Sequence, residues 1–196
     1  VFLGCAVVLH LLQPGLDPLR EAVSYYVHGR SGWLLTAGLL ALAAGSAALL
    51  AACALAAPGA VGRTGSVLLG VWTLGVAIGG VFPADPPGHW DRPPSTAGAL
   101  HGLAAMAALT ALPIGAWISS RRLRPRLTPR AGGWLVGLSY LLAASYLIFS
   151  ASLAPVFVTS GPPWLMGLTE RLLLAAACLW IGAAASCVAR IGRPLA

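Results

Sequence analysis

The few ionisable residues of this chain concentrate in one segment. The 196 residues include only five acidic residues and four histidines. The segment 82–102 holds four of these side chains: Asp85, His89, Asp91 and His101. Carboxylates and imidazoles can bind metal ions, and an imidazole exchanges protons near neutral pH. The segment therefore predicts a polar site for ligand binding or proton transfer.

One chemistry that these residues permit is metal-dependent hydrolysis. Asp85, His89 and His101 have the oxygen and nitrogen atoms that a catalytic zinc site needs. Glu170 or Glu21 would then activate the bound water. The sequence contains no His-Glu-x-x-His motif, so the match is one of composition, and zinc is the cofactor that it suggests. The alternative is a solvated loop in which a carboxylate contacts an imidazole.

His101 and Glu170 lie within apolar stretches, where an ionisable residue is costly and suggests a function by default. On a helical wheel, the neighbours of His101 within about 60° are small residues or proline, among them Ala97, Gly98 and Ala104. Small residues mark the face on which membrane helices pack, so we expect His101 to point into a helix bundle. Glu170 needs a partner from another element, or a position from which it reaches the headgroups.

The composition indicates that lipid surrounds most of the chain. It is 58% hydrophobic and 9% charged, with a mean hydropathy of +0.84, whereas a soluble domain has about 25% charged residues. The net charge of +7 comes from twelve arginines. These lie between apolar runs, which is typical of membrane topology and not of nucleic-acid binding. We therefore expect a multipass protein of the plasma (cytoplasmic) membrane whose main partner is the lipid bilayer.

Six apolar runs predict an all-α six-helix membrane bundle that forms one transmembrane domain over residues 1–196. A spanning helix needs roughly 20 residues. The runs are 1–13, 33–57, 65–82, 96–118, 132–154 and 164–189. The first run spans the bilayer only if further residues precede Val1. Prolines, including Pro113, mark breaks, and the Gly75-x-x-x-Gly79 spacing favours close packing within the bundle or in a homo-oligomer.

The arginines predict the direction of the spans. The segment 121–130 holds five arginines and no acid, so the positive-inside rule places it in the cytoplasm. Arg63, Arg190 and Arg193 then fall on the same side, and both termini are cytoplasmic. All five acids and all four histidines lie on or near the outer face in this topology. The fold as a whole is therefore expected to gather the ionisable groups at one end.

The segment 16–33 predicts a short interfacial helix between the first two spans. Asp17 suits the N-cap, Pro18 suits the first helical position, and Glu21 suits the positive end of the helix. Tyr25 suits an interfacial aromatic belt. The helix would anchor the chain at the membrane surface or, as a lid, place Glu21 and Ser24 over the mouth of the bundle.

Four short motifs occur in order along nearly the whole chain. They are Glu21-x-x-Ser24, Phe82-Pro83-x-Asp85, His101 and Gly167-x-x-Glu170. In this order they resemble the domain-of-unknown-function 998 family, whose members are multipass membrane proteins of bacteria and archaea. The resemblance implies a six-helix bundle that groups Ser24, Asp85, His101 and Glu170 in one site, and it implies no activity. The insert with His89 departs from the family pattern.

Three functions fit these observations. The first is a membrane protein whose polar pocket binds or moves a small or lipid-like ligand at the outer leaflet. The expected pocket residues are Glu21, Ser24, Asp85, His101 and Glu170. The second is an accessory subunit of a membrane-protein partner, in which the polar cluster only locks the helices together. The third is the zinc hydrolase acting on lipid. No catalytic motif identifies an enzyme, so we favour the first two.

Overall fold

The regular secondary structure is helical throughout the described part of the chain. A computed structural model describes residues 1–88, 92–159 and 161–191. The elements are α1 (Phe2–Leu12), a 3-10 helix (Val23–His28), α2 (Trp33–Ala56), α3 (Gly62–Val81), α4 (Thr96–Leu123), a 3-10 turn (Arg124–Arg126), α5 (Pro129–Ser152), α6 (Ala154–Thr159) and α7 (Met166–Ile191). The predicted all-α class is confirmed.

Five helices are long and apolar enough to cross a membrane, namely α2, α3, α4, α5 and α7. A shorter apolar helix, α1, has 11 residues, which is about half of the roughly 20 that a crossing needs. The chain is therefore a multipass membrane protein in which a shorter apolar helix packs against α2.

Glycine allows α3 and α4 to approach closely. A Cβ atom at Gly75 would lie 2.6 Å from the carbonyl oxygen of Ala104 and 2.7 Å from the Cβ of Ala108. Near the other end of the pair, a Cβ at Gly65 would lie 2.8 Å from Oγ of Ser119. Small residues let membrane helices pack backbone to backbone, and this contact fixes the face of α4 that carries His101 against α3.

Side-chain hydrogen bonds, among them the three that follow, join the helices inside the bundle. Trp72 on α3 donates from Nε1 to Oγ of Ser46 on α2, and Trp180 on α7 donates to Oγ of Ser120 on α4, each over 2.9 Å. The hydroxyls of Thr110 on α4 and Tyr146 on α5 are 2.8 Å apart. Such bonds average about 0.6 kcal/mol between membrane helices, so they orient the helices more than they stabilise them.

The predicted break at Pro113 is wrong. Pro113 lies buried inside α4, which continues to Leu123, beyond the predicted end of this span at residue 118. Proline is tolerated within membrane helices because neighbouring groups satisfy the backbone that it leaves unpaired. A second difference lies after α5, where the predicted loop 155–163 contains most of α6, Ala154–Thr159.

The segment before α2 forms a turn and then a 3-10 helix. Asp17 accepts a hydrogen bond from the backbone N–H of Leu19 (2.9 Å), and Glu21 accepts one from the N–H of Asp17 (3.0 Å). These caps close a turn, and the 3-10 helix starts only at Val23. Tyr25 is 8% exposed, so it packs inside the bundle and does not belong to an interfacial belt.

Candidate functional site

A cavity of about 720 Å³ opens at the end of the bundle where α4 and α7 begin. We call it the main cavity. Its walls come from the 3-10 helix, the segment before α4, and the helices α4, α5 and α7. Its polar lining residues are Ser24, Tyr25, Asp85, Arg92, Ser95, His101 and Glu170. Its larger apolar lining residues are Met106, Leu109, Phe149, Leu153 and Met166.

The polarity of the main cavity changes with depth. Along α4 the lining begins with Ser95 and His101 and continues with Ala105, Met106 and Leu109. A helix rises 1.5 Å per residue, so the apolar part of this wall lies deeper in the bundle than the polar part. The cavity therefore offers a polar end near the membrane surface and an apolar end within the bundle.

Four predicted site residues line the main cavity: Ser24, Asp85, His101 and Glu170. Glu21 lies elsewhere, since it lines a neighbouring cavity of about 700 Å³ with Arg20 and Trp164. We call this second space the side cavity. His89 and Asp91 lie outside the described residues. Four of the five residues predicted for the pocket thus line the main cavity, and the fifth, Glu21, lines the side cavity.

Backbone carbonyls of α3 and the residue after it orient His101. Its Nδ1 donates to the carbonyl oxygen of Phe82 (2.9 Å) and lies 3.2 Å from that of Gly79. A carbonyl only accepts, so Nδ1 carries the proton and, in the neutral ring, Nε2 keeps its lone pair. A Cβ at Gly79 would lie 3.7 Å from Cε1, which is an ordinary van der Waals distance, so the ring packs directly against α3.

Asp85 caps the start of α4. One carboxylate oxygen accepts from the backbone N–H of Ser95 (2.9 Å) and the other from the Ser95 hydroxyl (2.5 Å). The Ser95 oxygen in turn accepts from the N–H of Gly98 (3.0 Å). The negative charge also faces the positive end of the helix dipole. Asp85 therefore has a structural task in addition to its place in the cavity wall.

Glu170 caps the 3-10 helix from a distant part of the chain. Its Oε2 accepts from the backbone N–H of Val23 over 2.6 Å. The next residue, Arg171, donates from Nη1 to the carbonyl oxygen of Glu21 (2.9 Å). A Cβ at Gly167 would overlap the carbonyl oxygen of Glu21. The start of α7 thus holds the segment before α2 in place by its backbone, which keeps the 3-10 helix beside the main cavity.

Tyr25 is a site residue that the sequence does not identify. It lines both the main cavity and the side cavity. Burial, and then the carboxylates of Glu170, Glu21 and Asp85, raise the pKa of the Tyr25 hydroxyl above its ordinary range. The raised pKa therefore keeps the tyrosine neutral over a wider pH range than usual. Only its contacts reveal this position, because its sequence neighbours suit a surface helix equally well.

A small inner cavity lies beneath the main cavity. Its volume is about 70 Å³, which leaves room for more than one water molecule. Ser24, His101 and Glu170 line both spaces, and Trp72 and Gly75 form part of the inner wall. These three polar side chains therefore separate the open cavity from the bundle centre.

The described residues do not complete the predicted zinc site. Within residues 1–88, 92–159 and 161–191, no group of three or more His, Cys, Asp or Glu side chains is arranged to hold a metal ion. The carboxylate oxygens of Asp85 keep lone pairs besides those that accept hydrogen bonds from Ser95, and His101 keeps Nε2 as a ligand atom. The zinc site therefore depends on His89 and stays a prediction.

The fold and this cavity define a multipass α-helical membrane protein with a partly polar cavity at one end of its bundle. A family model described as "Protein of unknown function (DUF998)" matches residues 1–186. The chain therefore belongs to this family, as its four short motifs indicate. No curated protein and no solved structure matches the chain.

Proposed function

We propose that the protein binds, or binds and moves, an amphipathic lipid-like ligand in the main cavity. One observation supports this proposal: a single space of about 720 Å³ combines ionisable side chains with an apolar wall. Ligand sites typically have volumes of 300–1,000 Å³ and few polar groups on a largely apolar lining. A polar head would lie near His101 and Glu170, and an apolar chain would lie against Met106 and Phe149.

The side chains suggest how the head would be held. Nε2 of His101 can accept a hydrogen bond from a hydroxyl or amine, because Nδ1 is already bound to Phe82. Glu170 uses Oε2 for Val23, and its second oxygen can accept from the ligand. Ser24 adds a hydroxyl that both donates and accepts. These groups favour a ligand head that carries hydrogen-bond donors.

The arginine distribution supports an outer position for the cavity in the plasma (cytoplasmic) membrane. The cluster from Arg121 to Arg130 covers the last turn of α4, the connection and the start of α5, at the opposite end of α4 from His101. The positive-inside rule assigns this arginine end to the cytoplasm. Both termini would then be cytoplasmic, with α1 as part of a sixth span, and the main cavity would open to the outer leaflet.

A glycine in the cavity wall allows a direct test. Gly102 lines the main cavity, and a Cβ added there meets no atom within 4 Å. Gly102→Leu would therefore place an apolar side chain in this space, and its Cβ would meet no neighbouring atom within 4 Å. The control is Gly137→Leu, because Gly137 is an exposed glycine of α5 that also has no atom within 4 Å of an added Cβ. Both changes remove a helical glycine, which favours the helix by up to about 1 kcal/mol.

The readout is binding of a fluorescent single-chain lipid to the purified protein, together with native mass spectrometry of co-purified lipids. We expect Gly102→Leu to weaken probe binding at least about tenfold, which is about 1.4 kcal/mol, and Gly137→Leu to bind like the parent. Equal binding by all three proteins would contradict a ligand site in the main cavity.

The hydrogen bonds of the cluster favour a second candidate, a scaffold or accessory subunit. Asp85, His101 and Glu170 each bind backbone atoms of another element, as residues that only lock the helices together would do. On this proposal Glu170→Ala lowers the melting temperature while no lipid probe binds to the parent protein. A parent protein that binds the probe in the main cavity would exclude a purely structural role.

A further inference from the structure

A separate groove runs between α1 and α7. Its volume is about 450 Å³. The lining is mainly apolar and includes Leu3, Val7, Leu11 and Leu174, and its ionisable residues are His10 and Arg171. Leu3, Val7 and Leu11 are exposed, so the groove opens towards the surrounding lipid. None of the residues proposed for the main cavity is among its lining residues.

Arg171 presents a positive charge at one end of this groove. Its described hydrogen bonds reach neutral oxygens only: the carbonyls of Glu21 and Gly167 and the hydroxyl of Tyr26, at 2.8–3.2 Å. The guanidinium also lies 5.7 Å from the centre of the Tyr26 ring. In the described part of the chain, the one ion pair joins Arg20 to Asp17. Arg171 thus has no carboxylate in direct contact there.

Two acidic side chains lie near Arg171 but face other spaces. Glu170 interacts electrostatically with Arg171, yet its carboxylate binds Val23 and lines the main and inner cavities. Glu21 binds the backbone of Asp17 and lines the side cavity. The described lining of the groove therefore includes the positive charge of Arg171 and the imidazole of His10, and it includes no acidic side chain.

His10 extends the polar end of the groove across to α1. Its Nδ1 lies 2.7 Å from the Tyr26 hydroxyl, which also receives a hydrogen bond from Nη2 of Arg171. Tyr26 is 1% exposed and so holds both side chains in one fixed arrangement. His10 has Nε2 left for a further hydrogen bond, and Arg171 has donors left besides the three that are bound.

The depth of this polar end suits a phospholipid headgroup. Arg171 is the sixth residue of α7, which begins at Met166, so it lies about 7.5 Å along the helix at a rise of 1.5 Å per residue. His10 lies in the last turn of α1. The apolar residues of α1 then line the groove towards the bilayer interior. A guanidinium at this depth can bind an anionic headgroup through charge-assisted hydrogen bonds.

We infer that the α1–α7 groove binds an anionic phospholipid, with its phosphate against Arg171 and His10 and an acyl chain along Leu3, Val7 and Leu174. Arg171 matches a phosphate because its planar guanidinium presents several donors in a fixed geometry. The site is independent of the ligand proposed for the main cavity. A second copy of the chain packed into the groove is the competing occupant.

The test compares three lipids with the same chains. Full-length protein purified in detergent is titrated with phosphatidylglycerol, phosphatidylcholine or diacylglycerol, and the melting temperature and native mass spectrum are recorded. A ligand that binds only the folded state raises the melting temperature. We expect phosphatidylglycerol to bind about tenfold more tightly than phosphatidylcholine, and diacylglycerol to bind most weakly. Equal effects of the three lipids would overturn the proposal.

Two variants of α1 form a matched pair. Ala6 lines the groove, whereas Val8 is exposed and is not among the lining residues. Ala6→Trp should fill the groove and abolish the phosphatidylglycerol effect, and Val8→Trp should leave it intact. A loss in both variants, or in neither, contradicts binding in this groove. If the protein is a dimer that Ala6→Trp dissociates while lipid has no effect, the occupant is a second copy and the lipid proposal fails.

A headgroup variant separates headgroup recognition from chain binding. Arg171 also holds the segment before α2, so its replacement can impair folding, whereas His10→Gln keeps a hydrogen-bonding group beside Tyr26. We expect His10→Gln to weaken phosphatidylglycerol binding several-fold, because the variant lacks the ring nitrogen Nε2 that is left for the phosphate. An unchanged affinity would contradict the proposed headgroup contact. Gly102→Leu should leave phosphatidylglycerol binding unchanged, which distinguishes this groove from the main cavity.

Discussion

Gly98→Ala provides a sharp test of how the main cavity is built. In most helices this change is favourable, because alanine exceeds glycine in helix propensity by about 0.8–1 kcal/mol. At this position, however, a Cβ atom would overlap the carboxylate of Asp85. Asp85 is on the segment before α4, so its side chain would turn away and abandon its bonds to Ser95.

The magnitude follows from the two opposing effects. Asp85 accepts from the backbone N–H of Ser95 at 2.9 Å and from its hydroxyl at 2.5 Å. Loss of a helix cap costs about 0.5–2 kcal/mol, and we take the upper value because both acceptors are charged. Subtracting the propensity gain of about 1 kcal/mol, we expect Gly98→Ala to destabilise the protein by about 1 kcal/mol.

A double-mutant cycle in bicelles measures this effect. The free energies of unfolding of Gly98→Ala, Asp85→Ala and the combined variant are compared with that of the parent protein. With Asp85 already removed, alanine at position 98 should be neutral or stabilising, so the cycle should give a coupling of about 2 kcal/mol. Gly137→Ala serves as the control, since it has open space around an added Cβ. Additive effects, or a stabilising Gly98→Ala, would refute the described contact between Gly98 and Asp85.

Three further predictions concern packing, protonation and metal. Gly75→Leu should destabilise the protein by about 1–3 kcal/mol through overpacking against Ala104, and chemical unfolding of the variant measures this. Because the pKa of the Tyr25 hydroxyl is raised in the folded protein, the unfolded state loses this proton at a lower pH. The free energy of unfolding should therefore fall as the pH rises above about 10. Alkaline melting curves of Tyr25→Phe should lack that fall. The zinc hypothesis predicts near-stoichiometric zinc that is lost in both His101→Ala and Asp85→Ala, and elemental analysis in which neither variant loses metal would contradict it.

Local signals predict the helices well. All five spanning helices begin within three residues of their predicted starts, and α2 at Trp33 and α4 at Thr96 begin at the predicted residue. The start of α4 follows from one side chain, Ser95, which caps the N–H of Gly98. Pro113 shows where such signals fail, since the effect of a proline depends on the helices around it.

The candidate site is only partly predictable. His101 is expected on the packed face of its helix because its neighbours are small, and it does contact the backbone of α3 at Gly79 and Phe82. Glu21 and Tyr25 reverse their expected places, since Glu21 caps Asp17 and lines the side cavity, whereas Tyr25 lines the main cavity. Tyr25 lies on a 3-10 helix and Glu21 in the turn before it. Neither follows the α-helical period, so helical spacing cannot assign these side chains to a face.

By itself the sequence determines that this chain is a multipass helical membrane protein, because hydropathy and capping are properties of single segments. Only the tertiary structure decides which polar groups share a space. The bond from Val23 to Glu170 joins residues 147 positions apart, and the groove beside Arg171 exists only where α1 lies near α7. Such contacts depend on how the helices pack. The glycines and alanines that allow close packing occur on many helix faces, so the sequence pattern of small residues does not by itself select one arrangement of the helices.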